Sequence, residues 1–112
     1  MNARRIEAIK ELLARKRVVT WDECRRAIAV CDKGTEDKHV DLKLLRRVLA
    51  LMEDGGLVRQ ARLQVVAGAR MVPVSVCYDA RAGVQPEELG RLSARLGEEL
   101  HAATHRDRTS VV

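Results

Sequence analysis

The chain has 112 residues and a formal net charge of +5, with an isoelectric point near 9.6. That length suits one domain with one core, and the charge suits an anionic partner. Only Trp21 and Tyr78 are aromatic and Phe is absent, which argues against single-strand nucleic-acid binding by base stacking on aromatic platforms.

The basic excess lies in residues 1–83, with 17 Lys and Arg against 11 Asp and Glu, while residues 84–112 carry 4 against 5. Any nucleic-acid surface is therefore expected in the first three quarters. Cys24, Cys31 and Cys77 are odd in number and sit in apolar patterns, the setting of buried free thiols in a reducing compartment. No leader-type segment opens the chain and no apolar run approaches the ~20 residues of a membrane span. A cytosolic or nuclear location is expected, without a membrane partner.

Residues 3–16 place Ile6, Ile9, Leu12 and Leu13 on one helical face, and the period predicts an amphipathic first helix. Val18 and Val19 read as a short extended segment able to pair with a later strand. Thr20-Trp21-Asp22-Glu23 has capping-box form and opens a second helix over about 21–31, with Cys24, Ala27, Ile28 and Cys31 facing inward. Residues 32–39 are polar, contain Gly34 and form a loop. Asp41 caps a third helix to about residue 54. Its apolar residues fall on two stripes, Leu42, Leu45, Leu49 and Met52, then Leu44, Val48 and Leu51. They predict burial nearly all round, with Lys43, Arg46 and Arg47 on a narrow polar edge. Gly55 or Gly56 ends the helix.

Residues 57–66 alternate Ala61, Leu63 and Val65 with Gln60, Arg62 and Gln64, the pattern of a half-buried strand. Residues 71–78 bring Val72, Val74, Val76 and Tyr78 to one face, and Pro73 marks this strand as an edge. The connection over 67–70 is short enough for a hairpin. Gln85-Pro86-Glu87-Glu88 starts a fourth helix, in which Leu89, Leu92, Leu96 and Leu100 make a stripe to about residue 103.

The order helix, helix, helix, strand, hairpin, strand is that of an α+β winged helix, a three-helix bundle with a small antiparallel β-wing, here with an additional C-terminal helix. The expected organisation is a winged-helix domain over 1–83, an amphipathic helix over 84–104 packing on it or on a partner, and a flexible tail over 105–112.

The chain lacks G-x-S-x-G, a P-loop and H-E-x-x-H, and no pair of carboxylates lies in an apolar setting. It is read as non-catalytic, with no cofactor or small-molecule substrate. His101 and His105 share zinc-compatible spacing, but no third ligand stands near them. They are read as surface histidines, and no metal is expected. In a helix-turn-helix protein one helix enters the major groove while flanking basic groups hold phosphates. The corresponding candidates are Lys38, His39, Lys43, Arg46 and Arg47 around the third helix and Arg59, Arg62 and Arg70 on the hairpin. The third helix offers no Asn or Gln for adenine and only Arg for guanine. Contacts to the DNA backbone with strong salt dependence are therefore expected. Leu89, Leu92, Leu96 and Leu100 are the candidate partner-binding stripe. The alternatives are a protein-interaction adaptor without DNA binding and a dimeric bacterial-type winged-helix regulator.

Arg5, Ile6, Ile9, Leu12 and Leu13, then Val40, Asp41, Lys43, Leu45, Arg46, Gly56, Leu57 and Val58, followed by two strands, carry a family resemblance over about residues 4–79. The pattern resembles the extended winged-helix domain in the largest, B-block-binding subunit of RNA polymerase III transcription factor IIIC. Leu44 stands where that family usually has Thr, and Asp79-Ala80 where it often has His-Pro. The resemblance implies a nuclear, non-catalytic module of a large complex that recognises internal promoters of tRNA genes. Such a module contacts duplex DNA or braces other subunits of the transcription complex.

Overall fold

The computed structural model describes residues 2–36 and 39–111, with side chains as far as Ala103. Four helices and a three-stranded antiparallel sheet are found among the described residues, an α+β fold. In chain order they are α1 (Ala3–Lys16), β1 (Val18–Thr20), α2 (Trp21–Lys33), α3 (Leu42–Asp54), β2 (Val58–Ala67), β3 (Arg70–Asp79) and α4 (Pro86–Val111). None of the described helices is long and apolar enough to cross a membrane.

The chain divides into two compact units. The first takes Met1–Ala61 and Ser75–Val84, and the second takes Arg62–Val74 with Gln85–Val112. The division thus crosses the hairpin instead of falling at residue 83. The distal hairpin groups with α4 because that helix lies close on β2.

In the first unit α1, α2 and α3 pack on one another, and α1 and α2 also meet β1. Ile9, Leu12 and Leu13 from α1, Cys24, Ile28 and Ala29 from α2, and Leu45, Val48, Leu49 and Met52 from α3 form its core with Val19, Val58 and Cys77. Burying each large aliphatic side chain contributes about 1.5–3 kcal/mol.

The α2 start bears out the capping box. The Thr20 hydroxyl accepts from the Glu23 N–H at 3.1 Å, and the Glu23 carboxylate accepts from the Thr20 N–H at 3.2 Å. Lys16 also donates to Glu23, at 2.5 Å. Burial acts to raise the Glu23 carboxyl, but the Lys16 ammonium and the Thr20 donors outweigh it and hold the group below its ordinary 4.5. Because the unfolded chain binds this proton more tightly, the stabilisation is present above pH 4.5 and is lost as pH falls through the lowered folded value. Glu23→Gln is therefore expected to flatten the acid limb of the stability curve, read by thermal melts from about pH 7 down to about pH 3.

β1 pairs antiparallel with β3, with Val18 opposite Tyr78, Val19 opposite Cys77 and Thr20 opposite Val76. The sheet order is β1-β3-β2, so β3 is the middle strand there and not the edge strand that Pro73 suggests. Two residues, Gly68 and Ala69, separate β2 from β3. Gly68 has φ 66° and Ala69 is not among the residues at positive φ, the order a type II′ turn demands. Counting outward from this turn, residue 73 directs its backbone nitrogen away from β2. β1 reaches only to Val76, so Pro73 removes no ladder bond.

The same register puts Ala61, Leu63 and Val65 on one face with Val72, Val74, Val76 and Tyr78, as the alternation predicts. Val58 and Cys77 lie on the opposite face, and it is these two that join the helical core.

In the second unit, α4 passes very close to β2. A Cβ built on Gly97 would lie 2.2 Å from the Val66 carbonyl oxygen and 3.6 Å from Val65 Cγ1. His101 sits over the hairpin turn, its Nδ1 2.7 Å from the place a Cβ would take on Gly68. The backbone of α4 continues past the expected end near residue 103 to Val111. Residues 105–111, expected as a tail, are helical because the sequence offers neither Pro nor Gly there to stop the helix.

Candidate nucleic-acid interface

Asp41 fixes the start of α3 by accepting from the Lys43 N–H at 3.0 Å. Leu45, Val48, Leu49 and Met52 then turn fully inward. The helix is less enclosed than its composition predicts. Leu42 and Leu51 are each 46% exposed, and Leu44 is half-buried. What remains outside is a full face, not a thin edge. The first stripe enters the core except at Leu42, and in the second Val48 is buried and Leu44 packs against the core while Leu51 stays outside.

Lys43, Arg46 and Arg47 are all exposed on that face, and spacings of three and four make them neighbours. No ion pair of theirs is found among the described residues. The cations of α1 and α2 are largely neutralised by contrast. Arg5 meets Asp32 at 2.9 Å, Lys10 meets Glu7 at 3.2 Å, Lys16 meets Glu23, and both Arg25 and Arg26 meet Asp22. Burial acts to raise the Asp22 carboxyl, yet the two guanidiniums prevail and hold it below its ordinary value.

Charge along the helices sharpens the contrast. Acids open α2 and α4, and bases close α1 and α2, as the helix dipole favours. α3 follows that pattern only at its Asp41 cap. It has no acid in its first turn and no base in its last, and it carries Lys43 near its start and Glu53 and Asp54 at its end. That arrangement opposes the dipole by a few tenths of a kcal/mol per charge, so stability does not account for it.

The other candidates are scattered. His39 is exposed ahead of α3, and its carbonyl accepts from the Lys33 ammonium. Lys38 lies outside the described residues. Arg59 stands in the first unit, across the strands from Tyr78, in an open groove of about 580 Å³ that also holds Glu53 and Arg81. Arg81 went unnoticed in the sequence. Its signal is Asp79, whose carboxylate accepts from the N–H groups of Arg81 at 2.7 Å and Ala82 at 3.2 Å and fixes the turn. Those two N–H groups hold the Asp79 carboxyl below its ordinary value. Arg62 and Arg70 are exposed in the second unit, and the register puts them on opposite faces of the hairpin. The leucine stripe of α4 is not an open face: Leu92 is buried, and Leu89, Leu96 and Leu100 are half-buried.

Compared with protein-family models, with curated proteins and with solved structures, the chain finds no match in any of the three.

Proposed function

We propose that the protein is a non-catalytic winged-helix module that holds the backbone of duplex DNA with the basic face of α3. The observation that carries this reading is Lys43, Arg46 and Arg47, exposed together and without acidic partners among the described residues, with Lys43 placed against the helix dipole. Three cations at adjacent positions match phosphates along one groove wall, and the absence of Asn or Gln among them favours positioning over base reading. Arg59, Arg62 and Arg70 are supplementary phosphate contacts in this reading. The resemblance to transcription factor IIIC supplies the setting, a nuclear transcription complex on tRNA genes with other subunits as partners.

Binding to a labelled duplex tests the proposal. The three α3 contacts alone predict a slope of about −2.7 in log K against log salt, hence about 40-fold weaker binding on going from about 50 to about 200 mM salt, and each supplementary contact steepens it by about 0.9. No binding at the lower salt, or a slope near zero, overturns the reading and leaves a protein-docking face.

A further inference from the structure

We propose that Cys24 and Cys77 are a latent internal disulfide pair that an added disulfide oxidant can close, stapling α2 to β3. Their sulfurs lie 3.7 Å apart, and both residues are fully buried in the core of the first unit. A disulfide needs the sulfurs at about 2.0 Å, a closure of less than 2 Å between side chains that already face each other. Cys31, half-exposed on α2, has no such sulfur neighbour among the described residues.

The chemistry balances with oxidised glutathione as oxidant. One cysteine, as its thiolate, attacks the glutathione disulfide and releases one glutathione thiolate, leaving a mixed disulfide. The second cysteine thiolate attacks the protein sulfur of that mixed disulfide and releases the second glutathione. The two cysteine protons end on the two glutathiones, and two electrons pass from the protein to the oxidant.

The closed fold protects the pair in two ways. Neither sulfur is exposed, so the oxidant reaches them only when the unit opens or while it folds. The hydrogen bond with Cys77, and then burial, also push the Cys24 thiol far above its ordinary value and keep it protonated. The bond therefore forms during folding or opening, and once made it is sheltered by the same core. It cross-links residues 53 apart in sequence, which constrains the unfolded chain more than the folded one.

The test refolds the full chain from denaturant in oxidised glutathione, alkylates the remaining thiols and maps peptides without reduction. The expected product links Cys24 to Cys77 and leaves Cys31 alkylated. Its melting temperature is higher than that of the reduced protein by at least about 10 °C, and the gain is reversed by a reductant. Cys31→Ser gives the same link and the same gain, a result that does not depend on whether Cys24→Ala or Cys77→Ala folds. A link involving Cys31, three alkylated cysteines after oxidative refolding, or a lower melting temperature for the linked form overturns the proposal.

Discussion

Gly97→Ala is expected to destabilise the protein by roughly 2 kcal/mol, although alanine in place of a helical glycine normally stabilises by about 1 kcal/mol. The sign reverses because the added methyl would meet the Val66 carbonyl oxygen at 2.2 Å, and that atom belongs to strand backbone that cannot swing aside. Relief requires α4 to back away from β2, which opens the packing around Val65. Gly90 is the internal control. It lies on the same helix, and nothing stands within 4 Å of a Cβ built there. Gly90→Ala is thus expected to stabilise by about 0.5–1 kcal/mol through helix propensity alone. Urea denaturation of the two single variants measures the difference. Equal stabilisation by both would show that α4 does not approach β2 as described.

Much of the fold was legible because its signals are local. Thr20 and Glu23 form the capping box that their spacing announced, and Val18 and Val19 pair with β3. The short turn resolved to Gly68 and Ala69. What eluded the sequence depends on which face meets what. Alternation brings Val72, Val74, Val76 and Tyr78 together, but no local rule tells that Val58 and Cys77, on the other side, enter the helical core. The sequence likewise cannot grade two apolar stripes on α3, and Leu42 and Leu51 prove exposed where burial was expected. The approach of α4 to β2 had one visible clue, a glycine at 97 within a leucine-rich helix, since such a glycine usually has a packing reason. Of the candidate site, Lys43, Arg46 and Arg47 follow from helical spacing alone. Their lack of acidic partners among the described residues required the positions of Asp22, Glu23 and Asp32, which instead serve α1 and α2.

The central claim is that the location of charge on α3, not the net charge of the chain, binds duplex DNA. Two double variants separate these ideas because each removes two positive charges. Arg46→Ala/Arg47→Ala empties the exposed face of α3. Arg25→Ala/Arg26→Ala removes cations already paired with Asp22 on α2. All four arginines are exposed and alanine favours helix, so both variants are expected to stay folded by circular dichroism. Duplex binding of wild type and both variants, titrated at several salt concentrations, is the decisive measurement. The α3 variant should bind roughly 10- to 100-fold more weakly at about 100 mM salt, with its salt slope reduced by about 2, while the α2 variant stays within about threefold of wild type. Equal losses in the two variants, or no loss in the α3 variant, would contradict the account.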